Sequence, residues 1–234
     1  MKVSICMASY NHGAQLAVTL ESIRRQKSAH DVEIIVCDDG SEDDTEAVCE
    51  RFGVTRTYLD RPFYANPSAA RNAAYRLASG DVVIAQSDET IHVTDDAIDR
   101  LVMLSPGTFN IATVYELNQH GSRVSEYTGV TNRRPFFFLG SLRMSDLRAV
   151  GGDDEDFDLP GCDDDWLGYR LTEGLGLRPE WRQDVIGHHQ WHWRPDSKDA
   201  VPAFRKMRDL LAAKLAVARD TGNWRPGKGA WEES

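Results

Sequence analysis

The 234-residue sequence lacks several features that mark common classes of protein. It has only four cysteines, and none of them are paired at the short spacing of a metal site. No apolar run approaches the roughly 20 residues that a membrane-spanning helix needs. Basic residues are in deficit too, because 27 Lys and Arg face 37 Asp and Glu, for a formal net charge of −10. These absences argue against a cysteine-based metal site, an integral membrane segment and a nucleic-acid partner.

The cysteines also bear on where the protein works. Cys6 and Cys37 lie inside apolar runs typical of buried strands, so we expect reduced thiols and a cytoplasmic protein. The first apolar run begins at Val3, so no signal peptide is expected. Without a long basic amphipathic segment, we expect at most a peripheral contact with a membrane surface.

What the sequence does contain is two short apolar runs that each end in a polar turn. Val3–Ala8 leads into Ser9–Gly13, and Val32–Cys37 leads into Asp38–Ser41. Such β-branched runs are typical of strands buried on both faces. Ala14–Lys27 has apolar residues at helical spacing, which predicts a β-α-β unit with parallel strands. Because ligands of open α/β sheets bind at the carboxyl edge of the strands, both turns should face one crevice.

The alternation of strand and helix patterns continues to about residue 105. It predicts helices near 43–52, 66–79 and 95–105 and strands near 54–59 and 81–86. This order indicates an α/β fold with a doubly wound, mostly parallel sheet. We therefore divide the molecule into a first half, 1–105, a second half of the same domain, 106–200, and a terminal helix with its tail, 201–234.

The second half has a different pattern. It predicts a β-hairpin at 109–117 and 122–128, short helices near 144–150 and 164–173, and a long helix at 202–219 whose apolar face should pack on the body. Val185 and Ile186 suggest an edge strand. The tail from Asn223 contains Gly, Pro and Trp residues and is expected to be loose.

Five polar side chains are delivered to the predicted crevice: Ser9, Tyr10, Asn11, Asp38 and Asp39. An aromatic face can stack on a nucleobase, and a carboxylate can accept a hydrogen bond from a base N–H or a ribose hydroxyl. This set therefore indicates a nucleoside site. The segment Asp38–Ser41 is explained equally well as a simple turn followed by a helix cap.

A second cluster, Gln86–Glu89, follows the fourth predicted strand and lies at the same edge of the sheet. A carboxylate at this position can hold a divalent cation that bridges a diphosphate. The alternative is a simple strand-ending turn.

Three consecutive carboxylates, Asp163, Asp164 and Asp165, open a predicted helix. Carboxylates at a helix start are favoured by capping and by the helix dipole, but three exceed what capping needs. Packed like charges raise each other's pKa, which suits a proton acceptor.

The segment His188–Trp193 holds three histidines within five positions, with tryptophans between them. Isolated histidines are usually core or surface residues, whereas this density points to a site. The spacing is not that of a zinc finger.

Taken in chain order, these motifs resemble the family-2 glycosyltransferases, which have the GT-A fold. The matching segments are Val3–Asn11, Val32–Ser41, Ala70–Ala73, Ala78–Asp81, Gly151–Asp153, Asp163–Leu171 and His189–His192. The resemblance implies an inverting glycosyltransferase that moves a sugar from a nucleoside-diphosphate sugar, with a UDP-sugar favoured, to an acceptor hydroxyl. The acceptor is expected to be a glycan, a lipid-linked saccharide or a protein.

The resemblance also implies roles for individual residues. The donor site would comprise Ser9, Tyr10, Asn11, Asp38, Asp39, Arg71 and Ser87. A divalent metal, Mn²⁺ or Mg²⁺, would be held by Asp88 with His192 or His189. Asp164 falls on the family's usual general base, and the run of three carboxylates leaves Asp163 and Asp165 as alternatives.

One departure from the family pattern bears on the metal. Gln86 occupies the first position of the Asp-x-Asp metal motif, which leaves Asp88, His192 and the diphosphate to bind the ion. A non-catalytic nucleotide-sugar- or glycan-binding relative is therefore one alternative. A sugar nucleotidyltransferase is another, which the near absence of basic residues in Ser9–Gly13 disfavours.

Aromatic residues are frequent in the second half. Phe136–Phe138, Trp166, Trp191 and Trp193 could form an apolar wall for the acceptor sugar. Burial of each in the core is the equal alternative.

Overall fold

The computed structural model describes residues 1–61, 66–192 and 197–231, without the side chains of residues 197–200. In these ranges the strands are β1 (Lys2–Ser9), β2 (Asp31–Asp38), β3 (Thr55–Tyr58), β4 (Val82–Gln86), β5 (Thr90–His92), β6 (Thr108–Leu117), β7 (Arg123–Thr128), β8 (Leu139–Arg143) and β9 (Arg178–His189). The helices are α1 (Gly13–Arg24), α2 (Thr45–Phe52), α3 (Ser68–Leu77), α4 (Ala97–Leu101), α5 (Met144–Val150), α6 (Asp163–Tyr169) and α7 (Ser197–Thr221), and a π-helical turn spans Arg170–Gly174.

These strands form one sheet in the order β3-β2-β1-β4-β8-β6-β9-β5, with β7 paired to β6. The first four strands of this order are parallel to one another, as the β-α-β pattern predicts. β8 is antiparallel to both β4 and β6, and β9 is parallel to β6. As a result, β1, β2, β4, β6 and β9 all end at the same edge of the sheet.

Helices cover both faces of this sheet, which confirms the predicted doubly wound α/β fold. One apolar core lies under α1, α2 and α4, where Ile5 of β1 meets Leu16 and Leu20 of α1. The other lies under α3, α5 and α6, where Cys6 of β1 faces Ala70 of α3. Successive residues of β1 therefore face different cores, and both must be apolar.

The strand predicted at Val185 and Ile186 is present, but its predicted place at the edge of the sheet is wrong. Both residues belong to the 12-residue strand β9, which lies between β6 and β5. The charged residues at 178–184 hide this strand from a hydrophobicity pattern. The pairing of β6 with β9 is interrupted by a register shift between Ala112 and Thr113.

The long terminal helix α7 packs on the body, as predicted, through Met207 and Ala218, which are 1% exposed. The prediction of a loose tail is wrong over residues 223–231. Trp224 stacks on Trp166 with ring centroids 6.0 Å apart, and Trp231 meets Tyr75 edge-on at 6.3 Å. No helix in the described part of the chain is both long and apolar enough to cross a membrane.

Candidate active site

The two polar turns that follow β1 and β2 lie side by side at the carboxyl edge. The β1–β2 register pairs Ser9 with Asp38. Asn11, at φ 53°, accepts the backbone N–H of Glu42 on Oδ1 at 2.8 Å, and its own N–H donates to Ser41 Oγ at 2.9 Å. Asn tolerates this left-handed conformation better than most residues. The two turns therefore lie together at this edge, as the β-α-β pattern predicts, and Asn11 joins them.

Both carboxylates of the second turn are held by arginines that the sequence motifs did not reveal. Asp38, 1% exposed, accepts hydrogen bonds from Arg56 Nε at 3.0 Å and Nη2 at 2.8 Å. Asp39 forms a bidentate pair with Arg61, whose charge opposes the rise in the Asp39 pKa that burial causes. The contact of Arg56 with Asp38 could have been inferred from the pairing of β3 with β2, which places Arg56 opposite Val36, two residues before Asp38.

The other two members of the predicted nucleoside site and Ser87 lie at the same edge. Ser9 is 2% exposed, and its Oγ has no hydrogen-bond partner within residues 1–61, 66–192 and 197–231. Tyr10 is half-buried. Ser87 donates its N–H to the Phe138 carbonyl and accepts the Thr90 N–H, each at 3.1 Å. These backbone bonds fix the turn that follows β4.

Two carboxylates and three histidines meet directly after β4. Glu89 Oε1 lies 3.0 Å from His189 Nε2 and 3.6 Å from His192 Nε2. On the other side, His12 Nδ1 lies 3.4 Å from Asp88 Oδ1 and 3.8 Å from Glu89 Oε2. Each of the groups Glu89–His189–His192 and His12–Asp88–Glu89 brings one ligand atom per residue within 4.8 Å of the others. Carboxylate oxygens and imidazole nitrogens are established ligands of divalent metals.

The electrostatics of this cluster favour a cation. Asp88 and Glu89 are 4% and 8% exposed, and Asp88 Oδ2 has no hydrogen-bond partner among the described residues. Burial and the neighbouring charge of Glu89 raise the pKa of Asp88. Burial opposes the charged form of His12, but its hydrogen bond to Asp88 and the charge of that carboxylate raise its pKa to about 9. Two buried carboxylates this close are stabilised by positive charge.

From the sequence, Asp88, His189 and His192 were predicted as metal ligands, Glu89 was placed in the same cluster without a role of its own, and His12 was missed. The carboxylate next to Asp88 in the chain was the available signal for Glu89. The signal for His12 was its position after β1. Since β1 and β4 are neighbouring parallel strands, the residues that follow them, His12 and Asp88, lie close together.

Gln86 occupies the first position of the acidic motif. Among the described residues, its side chain forms no hydrogen bond with the members of this cluster. It is 2% exposed, donates from Nε2 to the Thr90 carbonyl at 2.9 Å, and pairs through Oε1 with His92 Nε2 at 2.8 Å. Gln86 therefore braces the turn between β4 and β5.

The three consecutive carboxylates begin α6, and two of them meet Arg71. Arg71 Nη1 lies 3.1 Å from Asp164 Oδ1, Nη2 lies 2.5 Å from Asp163 Oδ2, and Nε lies 2.7 Å from Asp153 Oδ2. Arg71 is 7% exposed and lies in the first turn of α3. Because α3 follows the carboxyl end of β3, this first turn lies at the site edge of the sheet.

Asp164 has an altered proton affinity as a result of these surroundings. Burial raises the pKa of Asp164, the charge of Arg71 lowers it, and the like charges of Asp163 and Asp153 raise it, so that the resulting pKa is about 7. Its side chain is 16% exposed, so it is open to solvent while Asp153 is not. A carboxylate that titrates near neutral pH can accept a proton there.

The third carboxylate points elsewhere. Asp165 pairs with Arg134, whose Nη2 lies 2.5 Å from Asp165 Oδ2. The Arg134 guanidinium in turn lies 4.1 Å from the centroid of the Phe136 ring. Asp165 therefore links α6 to the aromatic segment.

The predicted aromatic wall is wrong in part. Trp166 and Phe137 are each 2% exposed and belong to the apolar cores. Phe136 and Phe138 are half-buried beside His189 and Tyr127, and Tyr127 and Phe138 have centroids 4.5 Å apart.

The remaining tryptophans of that prediction lie apart from this cluster. Trp191 is 52% exposed. Trp193 lies outside the described residues. The aromatic surface that can meet a ligand is therefore carried by Tyr127, Phe136 and Phe138.

Solved structures show the same fold. The mannosyltransferase PcManGT from Pyrobaculum calidifontis, in complex with GDP-Man and Mn²⁺, superposes with a TM-score of 0.62 at 17% identity, over 94% of this chain and 76% of that one. S. aureus TarS 1–349, in complex with UDP-GlcNAc, gives a TM-score of 0.66 at 16% identity, over 91% and 66%. The predicted GT-A-like fold is thereby confirmed.

Sequence comparison identifies the family. WfgD of Escherichia coli, named as a UDP-Glc:alpha-D-GlcNAc-diphosphoundecaprenol beta-1,3-glucosyltransferase, is 32% identical over 114 residues, which are 48% of this chain and 44% of the relative. The chain spans less than half the length of the curated relatives it matches. The sequence model of glycosyl transferase family 2 matches residues 4–147, more than half of the chain. The protein belongs to glycosyl transferase family 2, as its sequence motifs predict.

Proposed function

We propose that the protein is an inverting glycosyltransferase that moves a sugar from a nucleoside-diphosphate sugar to an acceptor hydroxyl. The observation that carries this proposal is Asp164, a carboxylate with a pKa of about 7 held by Arg71 at the site edge of the sheet. A solvent-accessible carboxylate with a pKa near neutral is typical of catalytic proton acceptors, which favours an enzyme over a binding protein.

The nucleoside belongs in the crevice of Ser9, Tyr10, Asn11, Asp38 and Asp39. The buried Ser9 Oγ, which has no partner among the described residues, is available to a ligand. A UDP-sugar is the favoured donor, since WfgD is named for UDP-Glc and TarS was solved with UDP-GlcNAc. Arg71 and Ser87 would face the diphosphate or the sugar.

A divalent metal fits the cluster after β4. Two groups of residues could hold it, and both include Glu89: one is completed by His189 and His192, the other by His12 and Asp88. Asp88 Oδ2 has no hydrogen-bond partner among the described residues and so is available to the ion. When bound, a Mn²⁺ or Mg²⁺ ion at this position neutralises negative charge on the departing diphosphate. PcManGT, which shares the fold, was solved with Mn²⁺.

Asp164 acts on the acceptor. Its carboxylate takes the proton of the acceptor hydroxyl while the hydroxyl oxygen forms a bond to the anomeric carbon of the sugar. The bond from that carbon to the diphosphate oxygen breaks on the opposite face, so the configuration inverts. Holding both substrates in line removes much of the entropic barrier, up to roughly 7–11 kcal/mol in favourable cases.

The acceptor is proposed to be a lipid-linked saccharide. Two curated relatives, WfgD and WfaP, are named for transfer to alpha-D-GlcNAc-diphosphoundecaprenol. The half-buried rings of Tyr127, Phe136 and Phe138 offer an apolar surface for a sugar ring near Asp165. Such an acceptor would bring the protein to a membrane surface peripherally.

The test is release of nucleoside diphosphate from UDP-Glc, UDP-GlcNAc and GDP-Man in the presence of Mn²⁺. The Asp164→Asn variant is expected to lose turnover while still binding UDP in a thermal-shift assay, where ligand at 100 times its Kd adds about 2.7 kcal/mol of stability. Binding without turnover in the wild type would establish the non-catalytic alternative. If Asp163→Asn or Asp165→Asn abolishes turnover and Asp164→Asn does not, the base is that neighbour.

A further inference from the structure

The acidic loop that precedes α6 is neutralised by cations from the carboxyl-terminal part of the chain. Lys214 of α7 lies 2.9 Å from Asp154 Oδ2 and 2.8 Å from Asp156 Oδ2. The Lys214 side chain is 16% exposed and that of Asp154 is fully buried. Lys228 lies 3.7 Å from Asp156. Residues 153–158, here called the acidic loop, are therefore held to α7 and the tail by ion pairs.

The acidic loop is also bonded to α6, the helix that carries Asp164. Asp154 Oδ2, the oxygen that Lys214 contacts, also accepts the indole N–H of Trp166 at 2.8 Å. Trp166 lies two positions after Asp164 in α6, is 2% exposed, and stacks on Trp224. A single buried carboxylate oxygen thus links α7 to α6.

The same loop reaches Asp164 by a second route. Asp153, next to Asp154, binds Arg71 Nε, and Arg71 binds Asp164. The tail closes over this loop, because the Glu155 N–H donates to the Lys228 carbonyl at 3.2 Å. Displacement of the loop would therefore disturb two of the contacts that hold α6, the Trp166–Asp154 hydrogen bond and the contact of Arg71 with Asp164.

We propose that Lys214 is a positioning residue for the transfer reaction, acting through Asp154 and Trp166 to hold the Asp164 carboxylate in place. The residues that do this lie beyond 147, outside the segment that matches the family model. The inference rests on the proposed function, since it concerns the base of that reaction. If Lys214 has this role, α7 and the tail are needed for catalysis. Among the described residues, neither of them contacts the nucleoside crevice.

The test compares Lys214→Met, which keeps most of the apolar stem and removes the charge, with Lys206→Met. Lys206 lies on the same helix and pairs with Asp158 at 3.4 Å, but both side chains are 63% exposed. Lys214→Met should lower kcat at least tenfold, leave the Kd for UDP within twofold, and displace the acidic limb of the pH profile. Lys206→Met should leave all three unchanged, and Lys214→Arg should restore part of kcat.

Two further measurements separate this proposal from its alternatives. Trp166→Phe keeps an aromatic ring and removes the indole N–H, so it should lower kcat, and its effect should not add to that of Lys214→Met. If Lys214→Met does not fold, Trp166→Phe decides, and an unchanged kcat overturns the proposal. A parallel loss of UDP affinity in Lys214→Met, or a kcat equal to that of Lys206→Met, overturns it as well.

Hydrogen exchange gives a readout that does not need turnover. Amides of α6 should exchange faster in Lys214→Met than in Lys206→Met, because the acidic loop bonded to that helix is released. If the wild type turns over no nucleotide-sugar, the proposed function fails, and the exchange measurement alone then decides whether Lys214 is coupled to α6. Equal exchange in the two variants would refute that coupling.

Discussion

Gln86 Oε1 lies 2.8 Å from His92 Nε2, deep beneath the turn that carries Asp88 and Glu89. The residue that breaks the family's acidic motif is therefore a structural member of the β4–β5 connection. Burial lowers the pKa of His92 to about 4, so this imidazole is neutral at pH 7 and suits a neutral amide partner. Glu89, and not residue 86, is the second carboxylate of the cluster.

Restoring the acidic motif with Gln86→Asp is expected to fail. The shorter side chain removes the bond to the Thr90 carbonyl and places a carboxylate 2% exposed beside a neutral imidazole, which destabilises the fold by about 1–3 kcal/mol. Urea denaturation measures the loss of stability, and calorimetric titration with Mn²⁺ should show no gain in affinity. A tighter Mn²⁺ site in Gln86→Asp would contradict this account.

Glu89→Gln is expected to weaken Mn²⁺ binding at least tenfold, because it removes a charged oxygen that lies 3.0 Å from His189 Nε2. Glu42→Gln is the matched control, since Glu42 is an exposed residue of the neighbouring turn. Titration calorimetry or Mn²⁺ paramagnetic resonance gives the affinity without any turnover. Equal affinities in the two variants would remove Glu89 from the ligand set.

The carboxyl-edge crevice and the chain order of its carboxylates were accessible from the sequence, because apolar periodicity and strand connection rules determine where parallel strands end. Asp38 and Asp88 could be found for that reason, whereas Asp164 was found from the run of three carboxylates and from the family resemblance. Local patterns cannot show which cation faces a buried carboxylate across the fold. Arg56 lies 18 residues from Asp38, and Lys214 lies 58 residues from Asp156.

Trp166 and the tail were both predicted to be more accessible than they are, because their partners lie far away in the chain. Trp166 looks like a ligand-facing aromatic until the indole N–H is seen to have a buried partner in Asp154. The tail looks loose because its Gly and Pro content predicts irregular backbone, and irregular backbone can still pack. Trp231 and Trp224 supply the apolar contacts that order it.

The transfer rate is expected to rise with pH through about 7, because Asp164 must be deprotonated to accept the acceptor proton. About nine-tenths of the carboxyls are protonated one pH unit below the pKa, so kcat/KM at pH 6 should be about a tenth of its plateau. The profile is measured at saturating Mn²⁺ with a constant-ionic-strength buffer. A plateau that extends unchanged down to pH 5 would show that another group accepts the proton.

Arg71→Ala is expected to be the most destabilising single change at this site. Arg71 contacts Asp153, Asp163 and Asp164, and its removal leaves like charges buried together without a counter-ion, a loss typically of about 3–5 kcal/mol. Arg71→Lys keeps the charge but cannot contact three carboxylates through three separate nitrogens, so it should recover only part of the stability.

Urea denaturation at pH 7 compares these two variants with Arg24→Ala, an exposed arginine of α1 that should change stability by no more than about 0.5 kcal/mol. Because the lost cation can no longer favour the charged carboxyls, Arg71→Ala should recover stability as the pH falls and those carboxyls become protonated. A variant whose loss of stability is the same at pH 5 and pH 8 would show that Arg71 acts by packing and not by charge.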